Sequence, residues 1–321
     1  MTAIKGFVNA VRRPGVLGIH SMDSFNIQVP DLRVASDFYS AFGLDVREEG
    51  NSLGLYTHDH THCWGSLTEG PRKRLSHLSF GVFEDDFDTF RKHVETSGQA
   101  LIDPPPGFHS NGIWFRDHDG NIVEIRVAEK TSPNEKSDFT SVSVPANQAG
   151  APLRSQAPVV QPRRLAHILI FTRDVDRAVA FYCRVLGLRL SDRSADGIAF
   201  LHGVHGSDHH LVAFAKSDAP GLHHLSWDVG SINEIGLGAM QMADKGFVKG
   251  WGLGRHVLGS NYFHYVRDPW GSYAEYSADI DYVSADYDWP AADHAPEDAF
   301  YIWGPTPPKD FTVNYEGDRQ L

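Results

Sequence analysis

The 321-residue sequence predicts an α+β fold of two tandem domains, each holding two units in which a strand and a helix precede short strands. Three observations carry this. The same order of segments occurs twice along the chain, the mark of duplicated units. Short runs rich in Val, Ile, Phe and Tyr outnumber the segments with helical spacing, which favours sheets with few helices. Between the copies lies "TSPNEKSDFTSVSVPANQAGAPLRSQAPVVQP", rich in Ser, Pro, Ala and Asn and without sustained periodicity. Such composition reads as a linker or wrapping segment. The expected boundaries are 1–135 for the first domain, 136–162 for the linker, 163–290 for the second domain and 291–321 for a tail.

The first half opens with "DSFNIQVPDLRVASDFYSAFGLDV", a strand leading into an amphipathic helix. Its second unit starts at "LSHLSFGV" and closes with "FRDHDGNIVEI", two strand-like runs about a turn. After the linker, "LAHILIFTRDVDRAVAFYCRVLGLRL" repeats the opening, with Phe181-Tyr182 standing where the first copy has Phe38-Tyr39. Here Asp174 is the expected N-cap and Gly187 the stop, since Asp accepts from free backbone amides and Gly takes left-handed backbone. "HHLSWDV" then matches "LSHLSFGV", and "VRDPWGSYAEY" matches "FRDHDGNIVEI". The aromatic runs around Asp268-Pro-Trp-Gly271 form a hairpin. With Pro269 to Gly271 as its loop, Asp268 pairs with Ser272, and Tyr265 lies across from Glu275 on the same face.

Composition narrows the partners. A net charge of −12 with His neutral argues against nucleic acid or an anionic membrane. No run approaches the ~18 consecutive apolar residues of a membrane span, and no signal-peptide core follows Arg12 and Arg13. The two cysteines, Cys63 and Cys183, cannot staple a fold of this size and fit a reduced cytoplasm. Cys183, inside a helical pattern, is expected to be a buried small residue.

Alignment of the halves exposes an asymmetry. The second half carries His167, His224 and Glu275 where the first carries Ser24, His77 and Glu124. Two imidazoles and a carboxylate without a thiolate form the ligand set that suits Fe(II) or Mn(II) and leaves positions open; Zn(II) accepts the same ligands. The first half lacks one ligand, so its His and Glu are expected to be core polar groups or a remnant. Neighbours on a strand alternate faces, so His223 is not expected to share the site of His224.

The segment "GRHVLGSNYFHYVRDPWGSYAE" has the order Gly-x-His, Tyr, Asp-Pro-x-Gly, Glu. In this it resembles the type I extradiol ring-cleavage dioxygenases of the vicinal oxygen chelate superfamily, among them the homoprotocatechuate and catechol 2,3-dioxygenases. The resemblance spans roughly residues 20 to 305 and implies βαβββ modules, a non-catalytic N-terminal domain and a tail near the active site. It also implies metal ligands His167, His224 and Glu275, with Fe(II) as cofactor and Mn(II) as the alternative. His210 in "DHHLVAF" falls on the family's active-site His, with His209 the weaker candidate, and His256 and Tyr265 fall on its substrate-contacting His and Tyr. Catechol and O2 would be the partners, in a homo-oligomer.

Relatives that act on acidic catechols hold the carboxylate with arginines and carry an Asn two residues after the first ligand. Those places fall here on Trp251, near Ala299 and on Leu169. With Phe200, these residues imply an apolar substrate wall and a neutral alkyl- or aryl-substituted catechol. Arg255 and Arg267 remain as possible cations nearby. A glyoxalase-like isomerase or thiol transferase of the same superfamily, or a binding module without chemistry, are the competing expectations.

Overall fold

The computed structural model describes residues 10–58, 60–141 and 143–317. The first unit runs β1 (Ser21–Val29), α1 (Leu32–Ala41), β2 (Asp45–Glu49), β3 (Ser52–Tyr56) and β4 (Cys63–Glu69). The second runs β5 (Arg74–Val82), α2 (Phe87–Thr96), β6 (Ile113–Arg116) and β7 (Ile122–Val127). Together they make one sheet of order β2-β3-β4-β1-β5-β7-β6. The second unit is one strand short of the expected module. Between α2 and β6 the chain passes through Pro104-Pro105-Pro106, and three residues without an N–H cannot supply ladder donors.

The second half repeats this plan. Its first unit is β8 (Arg164–Thr172), α3 (Val175–Leu186), β9 (Arg189–Ser194), β10 (Ile198–His202), a two-residue β11 (Ser207–Asp208) and β12 (Val212–Lys216). Its second is β13 (Gly221–Asp228), α4 (Ile232–Asp244), β14 (Gly250–His256), β15 (Tyr262–Arg267) and β16 (Tyr273–Ala278). The C-terminal segment adds β17 (Tyr282–Val283), β18 (Ala292–Asp293), α5 (Pro296–Ala299) and β19 (Tyr301–Trp303). The ten-stranded sheet has the order β18-β9-β10-β12-β8-β13-β16-β15-β14-β19. Without β18 and β19 it is the first sheet with its missing strand restored.

Local chemistry accounts for the frame. Asp174 caps α3 by accepting from the Arg177 amide at 3.0 Å. Gly187 ends the helix at φ 71°, where a Cβ would lie 2.5 Å from the Leu17 carbonyl oxygen. Phe38, Phe42, Tyr182 and Trp227 are fully buried, and each such side chain contributes about 1.5–3 kcal/mol. Phe42 and Tyr276 stack across the two halves with centroids 3.9 Å apart, and the Tyr276 hydroxyl donates to the Phe42 carbonyl at 2.8 Å. Cys183 is only half-buried, against expectation, because it sits at the margin of the buried face of α3 rather than on it.

The segment between the halves wraps rather than dangles. Thr131 and Ser132 donate their hydroxyls to the carbonyls of Met22 and His20, each at 2.8 Å, and Val160 is buried. Further on, Glu316 accepts from the amides of Leu75 and Leu222 at 2.9 and 3.1 Å. It also pairs with buried Lys73 at 2.8 Å, so this residue ties β5 of one half to β13 of the other. No helix among the described residues is long and apolar enough to cross a membrane.

Candidate metal centre

Three neighbouring strands, β8, β13 and β16, carry His167, His224 and Glu275. Ser226 on the middle strand pairs with both His167 and Glu275, so all three side chains share one face. His224, two residues earlier on the same strand, shares it too. Nε2 of His167 lies 3.2 Å from Nε2 of His224. Glu275 Oε2 lies 3.3 Å from the first nitrogen and 3.5 Å from the second. All three residues are buried.

The turn that sets Glu275 is built as its sequence requires. Asp268 Oδ1 accepts from the Trp270 and Ser272 amides at 2.8 and 3.0 Å, and Gly271 takes φ 107°, open to glycine. Tyr265 then pairs with Glu275. Asn261, which sequence reasoning missed, donates Nδ2 to Glu275 Oε1 at 3.3 Å.

His223 was expected to turn away, and it does not. A register shift between Leu222 and His224 marks a bulge at His223, which re-aims its ring. His223 Nε2 lies 2.8 Å from the Phe311 carbonyl oxygen, which can only accept, so this nitrogen carries the hydrogen. Burial pushes the His223 pKa down to about 4, so the ring is neutral and its Nδ1 is bare. Nδ1 of His224, at 2.7 Å, is therefore the donor, and Nε2 of His224 faces Glu275 without a proton. A ligand imidazole is commonly oriented through its other nitrogen in this way.

These residues fit a divalent metal. Buried Glu275 Oε2, a corner of the triangle, has no hydrogen-bond partner among the described residues. Edges of 3.2 to 3.5 Å are what three ligand atoms subtend at about 2.0–2.2 Å from one ion. Burial works against the Glu275 carboxylate, but the proximity of the His167 and His256 imidazoles holds its pKa below the usual range. Burial also keeps His224 and His210 far below the ordinary imidazole pKa, so both are neutral.

His167 and His224 line a cavity of about 410 Å3, with Glu275 buried behind them. His210, His256, Tyr265, Leu169, Phe200 and Ala299 all line it. The His210 ring lies 4.0 Å from that of His167. His256 presents Nδ1 to the Phe300 carbonyl and Nε2 to the Tyr265 hydroxyl, each at 2.9 Å. Burial and the charge of Glu275 push the Tyr265 pKa well up, so its phenol keeps its proton.

Trp251 does not line this cavity, contrary to its expected place in the wall. Its indole stacks behind Tyr265 with an interplanar angle of 9° and donates to the Pro305 carbonyl at 2.6 Å. Phe300 and Phe311 of the C-terminal segment stand in the wall instead, positions that no local pattern announces. Arg255 is held by Tyr262 and Asp279 and Arg267 by Asp310, and neither reaches the cavity. In the first half, Glu124 accepts from the Ser79 and Ser110 hydroxyls. His77 packs edge-on against Phe108 and Trp114. Among the described residues, the His167, His224 and Glu275 group is the one cluster arranged to hold a metal.

Comparison with known proteins agrees with this architecture. Residues 21–125 and 164–276 match the glyoxalase/bleomycin resistance protein/dioxygenase superfamily. Metapyrocatechase 2 of Cupriavidus necator is 52% identical over 298 residues, 93% of either chain. The iron-dependent extradiol dioxygenase of Rhodococcus jostii (strain RHA1) is 26% identical over 64% of this chain and 72% of its own. The solved structure of the Mn(II)-bound glyoxalase from Novosphingobium aromaticivorans shares the fold, with a TM-score of 0.73 at 23% identity, covering 91% of this chain and 94% of that one. Matched in both repeats and along nearly the whole of a half-identical relative, the chain belongs to the glyoxalase/bleomycin resistance protein/dioxygenase superfamily.

Proposed function

We propose that the protein is an extradiol dioxygenase that cleaves catechols in the meta position with O2, at a divalent ion held by His167, His224 and Glu275. The carrying observation is the buried His167, His224 and Glu275 triangle, two of whose members line a cavity together with His210, His256 and Tyr265. The likeness to a metapyrocatechase over most of both chains supports the same reading. Iron(II) suits a 2-His-1-carboxylate set in oxygen chemistry, with manganese(II) as the alternative. A bound ion supplies Lewis acidity toward the diol and one place for both reactants. The product class is a 2-hydroxymuconic semialdehyde. On this reading the N-terminal domain carries no chemistry of its own.

The chain's own groups handle the protons. The Phe300 carbonyl keeps the hydrogen of His256 on Nδ1, so His256 Nε2 accepts from the Tyr265 hydroxyl. The phenol oxygen is then free to accept from a substrate hydroxyl, and a proton leaving the diol has a path from Tyr265 to His256. His210, on the His167 side, serves as the acid–base group for the oxygen step.

The substrate side is apolar: Leu169, Ile198, Phe200, Leu258, Phe300 and Phe311 contribute to the wall. Among its described residues the lysine or arginine present is Lys216, which pairs with Asp196. A carboxylate there would lose water without gaining a partner, so the substrate class is a neutral alkyl- or aryl-substituted catechol. Oxygen uptake and ring-fission absorbance with iron-loaded protein test the proposal. Matched uptake and product support it. No turnover of any catechol, with isomerisation of a hemithioacetal instead, would favour the glyoxalase-like alternative.

A further inference from the structure

His210 is tied to a buried carboxylate through its neighbour. Nδ1 of His209 lies 3.1 Å from Nδ1 of His210, and Nε2 of His209 lies 2.9 Å from Asp192 Oδ2. Asp192, on β9, is held from three further directions. Its Oδ1 accepts from His294 Nε2 at 2.7 Å and from the Ala292 amide at 3.1 Å, and its Oδ2 from Trp289 Nε1 at 3.2 Å. Burial opposes ionisation of Asp192, but the bonds from His209, His294 and Trp289 prevail and keep its pKa below the usual range.

The hydrogens follow in sequence. An ionised carboxylate only accepts, so His209 Nε2 carries the hydrogen. With that hydrogen on Nε2, the Nδ1 of His209 is the acceptor and His210 Nδ1 the donor. His210 Nε2 is then bare. Because Nδ1 is turned to His209, Nε2 is the nitrogen that His210 offers to the cavity it lines.

We propose that Asp192 and His209 are positioning residues that lock His210 in its Nδ1–H tautomer, so that Nε2 meets the bound catechol as a hydrogen-bond acceptor. His210 must then take a proton before it can give one. The proposal rests on the acid–base reading of His210 given above. It also assigns His209 a role distinct from replacing His210.

The test measures kcat and KM for catechol on iron-loaded protein, with metal content and Tm followed for each variant. Asp192→Asn removes the ionised acceptor that fixes the hydrogen of His209 on Nε2, so the chain of hydrogens is no longer held in one direction and kcat should fall about tenfold or more, within the range of a positioned acid–base group. KM and metal content should stay near wild type. His209→Leu should fall similarly, whereas His209→Asn, whose Oδ1 can accept from His210 Nδ1, should recover much of the loss. In a His210→Phe background Asp192→Asn should add nothing, because residues that act through one group are not additive.

The relay is overturned if Asp192→Asn keeps wild-type kcat, or costs the same factor with and without His210. It is also overturned if His209→Asn is no better than His209→Leu. Should Asp192→Asn fail to fold, the two His209 variants decide alone. If His210→Phe itself turns over at the wild-type rate, the acid–base reading has failed, not the relay alone.

Discussion

Nε2 of His224 faces Nε2 of His167 across 3.2 Å, and the chain of hydrogens through His223 leaves the first of them bare. Buried lone pairs and a carboxylate at this spacing suit a cation. Protein loaded with Fe(II) or Mn(II) should hold one ion per chain. His224→Ala and Glu275→Ala should lose it, while His77→Ala keeps it, because Glu124 beside His77 is already satisfied by two hydroxyls. Elemental analysis after gel filtration gives the answer; two ions per chain, or loss with His77→Ala, contradicts the assignment.

His210→Phe keeps a flat aromatic ring and removes both nitrogens. It should retain metal and anaerobic catechol binding yet slow turnover roughly 10²-fold or more. Single-turnover mixing with O2 separates binding from the oxygen step. An unchanged rate would move the role to His256.

Substrate preference tests the wall. Burying an unpaired carboxylate costs about 1–3 kcal/mol on the scale of mutational data, while an apolar substituent gains about 25 cal/mol per Å2 buried. Methyl-, alkyl- or aryl-catechols should exceed 3,4-dihydroxyphenylacetate in kcat/KM by about 100-fold or more, since each 1.4 kcal/mol is tenfold. Equal turnover of the acid would mean that Lys216 leaves Asp196 to bind it.

Stability should fall in mild acid. Burial lowers the pKa of His20 to about 3 and those of His77, His202 and His264 to about 4, whereas an unfolded His titrates near 6.5. Between these values the unfolded chain binds protons that the fold refuses. Their stabilisation is therefore complete above about pH 6.5 and is lost as pH falls toward about 4, at up to roughly 1.4 kcal/mol per pH unit for each group. His264 Nδ1 is buried and unpartnered among the described residues, so His264→Phe isolates one share. Urea unfolding across pH 4.5 to 7.5 should show a shallower acid slope for this variant; parallel slopes would refute it.

The duplicated plan was legible because strand and helix signals recur in order, and the Tyr265–Glu275 pairing because Pro and Gly fix a short loop. The clustering of His167, His224 and Glu275 could be read because Ser24 breaks the repeat where His167 stands. What escaped depended on irregular or distant contacts. The bulge that brings His223 onto His224 is a register event with no composition of its own. Asp192 reaches His209 only once β9 lies beside the segment that follows β11, and Trp251 lies behind Tyr265 because the C-terminal segment claims its indole. The missing strand of the second unit was written in Pro104 to Pro106, a signal in plain view.

Phe311 touches two worlds at once. Its ring stands in the substrate wall, and its carbonyl holds the His223 imidazole that in turn holds His224. A bulky ring substituent that presses on this wall therefore pulls on His224, a proposed ligand. The electronic environment of the metal should vary with substituent size even among catechols of equal acidity, and a glycine at 311 should blunt that dependence by removing the lever while leaving the carbonyl in place.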